Sequence, residues 1–174
     1  MEIDFKDRLL EHLLRVCTSE GLLKGKLLAS PDIDGAWQRY APSYYGDAVL
    51  NFNAYPEFSM ACAGYLGMAV AHLWDCDWPK YRDVPYSFFY GSRGFDDMDD
   101  HITSTLLQDD GSCVAAMETC STEAYHFLMK ESPEPGTADA YRMFLSSAEV
   151  LFRIGAAIEL LRLGYSLVAV GENN

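Results

Sequence analysis

Basic residues are scarce in this chain: 13 Lys and Arg stand against 26 Asp and Glu in 174 residues, a formal charge of −13. Such a surface repels phosphate backbones and anionic headgroups, so neither nucleic acid nor a membrane surface is an expected partner, whereas cations and basic partners suit it. Long apolar runs are also missing. The longest candidate, Met60 to Leu73, spans fourteen residues and contains His72, short of the roughly 18 needed to cross a bilayer. The opening MEIDFKDRLLEHLLRVCTSE is charged throughout and lacks the apolar core and small-residue cleavage site of a secretion signal. The five cysteines, Cys17, Cys62, Cys76, Cys113 and Cys120, are odd in number and contain no CxxC pair. Four of them sit among apolar neighbours, the pattern of reduced thiols in a cytoplasmic protein.

Catalytic signatures are equally thin. GxGxxG, the phosphate-binding loop, GxSxG and HExxH are all absent, and with them the common marks of dinucleotide, nucleotide, serine-hydrolase and zinc-protease chemistry. The paired ExxE and ExxD motifs of small helical nucleotide pyrophosphatases are not both present. No repeat, low-complexity tract or compositional break divides the chain, so it reads as one domain, 1–174.

What is present is helical periodicity. Phe5, Leu9, Leu10, Leu13, Leu14 and Cys17 recur at three- and four-residue spacing and predict an amphipathic helix over about residues 3–18. Residues 22–35 read as loop. Helix is expected again over 36–40, broken at Pro42 and resumed over 44–52. Tyr55-Pro56-Glu57 marks a strong helix start, with proline at the first helical position and an acid at the positive end of the dipole. The stretch that follows, FSMACAGYLGMAVAHLWDC, is apolar on every face and rich in small residues, which demands burial on every face. It predicts a central helix over 57–76.

Trp78 to Tyr90 is a connector with six aromatics, expected to cover the core, to form an interface or to line a pocket. Further helices are expected over 96–107, 113–129 with Ser112 as cap, and 137–163 with Thr137 as cap and Gly164 as a left-handed stop. The tail 165–170 is β-prone without a partner strand.

Three segments, AGYLGMAVAHLWDCDW, RGFDDMDDHI and RIGAAIELLRLGY, resemble an uncharacterised family of small helical bacterial proteins with no assigned activity, over about residues 40–165. The resemblance implies a helical fold and a bacterial cytoplasmic setting, and it supplies no catalytic residue.

The densest chemistry lies in Asp96-Asp97-Met98-Asp99-Asp100-His101. This satisfies the DDxxD pattern with which polyprenyl synthases hold magnesium. Against that family stand the chain's short length, the lack of a second aspartate-rich motif and the scarcity of basic residues to meet a diphosphate. Asp97, Asp100 and His101 remain a candidate divalent-metal site on one helical side. The competing expectation is that these aspartates cap and stabilise a helix start.

Three further sets merit weighing. His72 with Asp75 and Cys76 suits zinc or a hydrogen-bonded core histidine. Glu123-Ala-Tyr-His126 is one ExxH, where a di-iron bundle needs two. His12, His72, His101 and His126 lie on four different predicted helices and could converge on a metal. Glu149 with Arg153, and Glu159 with Arg162, read as intrahelical ion pairs.

The expected fold is all-α: a single-domain helical bundle of about six helices around a buried central helix (57–76), with a long C-terminal helix (137–163). The expected function is that of a cytoplasmic non-enzymatic binding or protein-interaction domain, without cofactor. It would meet a protein partner, or a second copy of itself, through an aromatic surface. The alternative is a divalent-metal-dependent, hydrolase-like enzyme using Asp97, Asp100 and His101. A weaker third reading places a small apolar ligand inside the bundle.

Overall fold

The computed structural model describes residues 4–165; the start proposed at residue 3 and the β-prone tail beyond Tyr165 lie outside the described residues. The architecture is all-α, with six helices of which one is buried at the centre. They are α1 (Phe5–Ser19), α2 (Pro31–Phe52), α3 (Pro56–Tyr81), α4 (Met98–Asp100, continuing as a wider π-helical turn over His101–Leu106), α5 (Ser112–Lys130) and α6 (Ala138–Arg162). Among the described residues there is no strand, and only an isolated bridge joins Gly91 to Gly94.

The central helix is α3. Every residue from Ser59 to Ala71 is buried, as its all-round apolar sequence requires. Its main partner is α6, and the two approach through bare backbone: a Cβ at Gly67 would overlap the Phe152 carbonyl oxygen, and one at Gly155 would overlap that of Gly64. The run of small residues therefore sets how close the two helices come. Around this pair, α1 packs Phe5, Leu9, Leu13 and Cys17 inward against α5 and α6. α2 contributes Trp37, whose ring lies 5.0 Å from that of Phe152.

The regular α3 ends where expected. Asp77 is extended (φ −163°, ψ 87°), because Pro79 lacks the N–H that would continue the helix and its ring crowds the preceding turn. The Asp77 carboxylate then accepts the Lys80 N–H at 3.3 Å and starts one further turn.

Two sequence expectations fail. α2 runs unbroken from Pro31 through Pro42, where a loop to residue 35 and a break at Pro42 were predicted. Ser30 caps it through the Asp32 N–H, and Pro42 is exposed on the outer face, where water can satisfy the carbonyl that loses its partner. Ser112 is not the cap of α5. The Asp109 carboxylate accepts the Cys113 and Val114 N–H groups at 2.9 and 3.2 Å, and Asp110 accepts that of Ser112 at 3.0 Å. At the ends of α6 the expectations hold. Thr137 accepts the Ala140 N–H, and Gly164 is left-handed (φ 99°).

The Asp109 carboxyl gives a first prediction. Partial burial pushes it up, but the Cys113 and Val114 donors outweigh that and hold it below the usual carboxylate value. A carboxyl depressed in the fold adds stability that is complete above its unfolded value and is lost as pH falls through the native one. Asp109→Asn is expected to cost about 1 kcal/mol at pH 7. Urea titrations at pH 7 and 3 should show the gap between parent and variant narrowing at the lower pH.

Candidate functional site

The aspartate cluster turns backward. Asp97 Oδ1 accepts the Arg93 N–H at 2.9 Å, Oδ2 accepts the Ser92 hydroxyl at 3.0 Å, and the Arg93 guanidinium stands 3.8 Å away. Desolvation pushes its pKa up, but these partners outweigh it and hold the carboxyl below its usual range. Asp97 thus pins the tight Gly91–Gly94 loop, and a Cβ at Gly91 would collide with it. No aspartate side chain caps the helical turns that follow, which corrects the capping expectation. Those turns widen instead, with Thr103 and Ser104 donating to the Asp99 and Asp100 carbonyls. Asp100 is exposed and His101 half-buried. Among the described residues no group of three or more His, Cys, Asp or Glu side chains is arranged to hold a metal ion.

Two of the other histidines pair across helices. His72 pairs not with Asp75 but with Glu159 of α6, Nδ1 to Oε2 at 2.8 Å. Arg162 reaches the other oxygen of Glu159 at 2.9 Å, the i,i+3 pair the sequence predicted, and also contacts Cys113 Sγ. His12 of α1 meets Glu123 of α5 at 3.0 Å, so the ExxH glutamate serves an interhelical pair while His126 is exposed. Glu149 pairs with Lys6 at 2.8 Å rather than Arg153, whose nearest carboxylate is Asp34 at 3.8 Å.

The buried Cys62 and Cys113 are poor nucleophiles. Burial pushes Cys113 up to about 12 despite the nearby Arg162, and burial also raises Cys62. Cys76 is exposed.

The aromatic connector mainly covers the core. Tyr86 and Phe89 are buried, and Tyr81, Phe88 and Tyr90 are half-buried. Exposed apolar surface gathers elsewhere, at the end of the bundle where α2 turns into α3. There Pro56 starts α3, and the loop after α5 carries Pro133, Pro135 and Gly136 before Thr137 starts α6. These segments leave a groove of about 620 Å³ between them. Phe52 and Phe144 form part of its wall, rings 4.5 Å apart, with Tyr125, Leu128, Met129 and Tyr141 also lining it.

Of the seven large apolar side chains exposed among the described residues, five belong to these segments: Val49, Leu50, Tyr55, Met129 and Tyr141. Leu50 is 83% exposed and Tyr55 65%; of the five, Met129 and Tyr141 line the groove itself. The bordering acids are Glu57, Glu131, Glu134 and Asp139. Of the nearby cations, Arg8 and Arg142 are engaged by Glu131 and Asp139 at 2.6 and 2.8 Å, while Lys130 is exposed.

Sequence reading missed this groove because its walls come from three distant segments. No protein-family model, no curated protein and no solved structure matches this chain.

Proposed function

We propose that the protein is a non-catalytic binding domain whose end groove receives apolar side chains of a protein segment that also carries Lys or Arg. The carrying observation is the groove of about 620 Å³, lined mainly by apolar and aromatic side chains, of which Met129 and Tyr141 are exposed. A cavity of this size has room for about two or three side chains, and Leu50 and Tyr55, exposed on the neighbouring segments, add apolar surface at this end of the chain's α2–α3 link. An apolar groove with exposed apolar side chains in its wall marks an interaction site. The bordering acids and the overall charge of −13 favour a basic partner and faster association with it. The groove holds no paired acid, base and nucleophile; its polar side chains are Asn53, Tyr125, Thr137 and Tyr141.

A randomised peptide library selected against the immobilised protein tests this. Enriched peptides should combine two or three aromatic or aliphatic residues with Lys or Arg. Met129→Glu and Tyr141→Glu should each weaken their binding about tenfold, the size of a hot-spot loss, and leave the melting temperature unchanged, since both side chains are exposed. Failure to enrich any sequence, or binding indifferent to both substitutions, would overturn the proposal.

A further inference from the structure

The kink that ends α3 places two tryptophans at the surface, far from the groove in sequence and independent of it. Trp74 and Trp78 stand edge to face, ring centroids 4.7 Å apart at 89°. A depression opens on each side of the pair, and both depressions share Asp32, Trp74 and Trp78. One side already holds cations of the chain itself. Arg82 lies 5.8 Å from the Trp78 ring centroid, and Arg39 donates to the Arg82 carbonyl at 2.9 Å.

The other depression, about 380 Å³, contains no Lys, Arg or His among its lining residues. Its walls include three aromatic rings, Trp74, Trp78 and Tyr165, and two carboxylates, Asp32 and Asp75, over an aliphatic base that includes Leu160.

The third ring is fixed by the way α6 ends. With Gly164 left-handed, its N–H donates to the Leu161 carbonyl and the Tyr165 N–H to that of Leu160, both at 3.0 Å. This double bond pattern closes a helix and brings the residue after the glycine back over the last turn. Tyr165 therefore lands on the depression, and its hydroxyl donates to Asp75 Oδ1 at 2.5 Å, which orients ring and carboxylate together.

We propose that this depression binds a methylated ammonium head, a compact quaternary or tertiary organic cation. Aromatic ring faces carry negative quadrupole potential and attract cations set over them, and two carboxylates with no lining base add to that field. A methylated head suits the site better than a bare ammonium ion. It sheds its weak hydration readily, and its methyl groups pack on the indoles and on Leu160. The volume falls at the lower end of the roughly 300–1,000 Å³ typical of small-ligand pockets.

Tryptophan fluorescence reads the site directly. The chain has three tryptophans, and the third, Trp37, is buried against Tyr44, Tyr45 and Phe152, so it gives a constant background. Titration with tetramethylammonium chloride or choline chloride, against sodium chloride at matched ionic strength, should give a saturable change. The neutral isostere of choline, 3,3-dimethylbutan-1-ol, should bind at least about tenfold more weakly, because cation–π and carboxylate attraction both need the charge. Asp75→Asn should weaken choline binding several-fold and Trp78→Leu should abolish it, each with an unchanged far-ultraviolet circular dichroism spectrum and melting temperature. A peptide carrying trimethyl-lysine, compared with choline, tells whether the head belongs to a protein side chain or to a free molecule. A flat titration with both cations, or equal binding of the neutral alcohol, would overturn the proposal.

Discussion

Gly155→Ala and Gly67→Ala are expected to cost at least about 3 kcal/mol each, at or above the upper range for overpacked cores. The added methyl at residue 155 overlaps the carbonyl of Gly64 across the interface, and its next neighbours, the Gly64 carbonyl carbon and Cα, lie 2.9 and 3.1 Å away. At residue 67 the obstruction is the Phe152 carbonyl, with the Ala156 nitrogen at 3.1 Å. Backbone cannot rotate aside as a side chain can. Relief requires α3 and α6 to separate along their whole contact, which opens voids around Ala63, Val70, Leu151 and Ile158. Two comparisons isolate the cause. Gly64→Ala meets only the flexible end of Met117, so about 1–2 kcal/mol suffices to repack it. Gly46→Ala on α2 meets nothing within 4 Å and should stabilise by about 0.5–1 kcal/mol through better helix propensity. Urea unfolding of the four variants should rank them in that order. Equal costs at residues 46 and 155 would mean that the helices do not meet backbone to backbone.

This close approach is also where the sequence was most legible. A segment apolar on all faces and dense in Ala and Gly has few other ways to be buried, so α3 was located to within a residue at its start. Its partner α6 announced itself through Thr137 and Gly164, both used as expected. The failures have physical causes too. Pro42 and Gly35 look like breakers in isolation, yet the inward side chains of Ile33, Trp37, Tyr40 and Tyr44 bury enough apolar surface to hold the helix through both. Asp109 was passed over in favour of Ser112 as cap because its reach to Cys113 and Val114 depends on the left-handed Gly111, a backbone detail that the residue names alone do not specify.

The candidate sites were less legible than the fold, because side-chain partners come from other helices. His72 looked to its own helix for Asp75, but one turn of α3 faces α6, and Glu159 lies there. Asp97 looked like a cap or a ligand and instead braces the loop before it. The end groove and the tryptophan cleft each join residues more than eighty positions apart. In the cleft at Trp78, aromatic and acidic side chains lie together, a juxtaposition that composition alone does not locate.

Glu159 is expected to give the second large effect. Its side chain is 2% exposed, yet both oxygens are occupied, one by His72 at 2.8 Å and the other by Arg162 at 2.9 Å. Glu159→Leu keeps similar volume and leaves both donors facing hydrocarbon. Removing one partner of a buried ionic set typically costs about 3–5 kcal/mol. Here His72 and Arg162 keep 24% and 41% of their side-chain surface in water, so rehydration recovers part, and a loss of about 2–3 kcal/mol is expected. Glu159→Gln retains an acceptor for the His72 Nδ1–H and should cost about 1–2 kcal/mol, mainly the charge-assisted bond to Arg162. The decisive comparison is Glu159→Leu with Arg162→Leu. If the cost of the single variant is an orphaned guanidinium, the double variant should be more stable than Glu159→Leu alone, a coupling of about 1 kcal/mol in a double-mutant cycle. Strict additivity would show instead that Glu159 acts through packing, and that its two hydrogen-bonding neighbours are incidental to the α3–α6 contact.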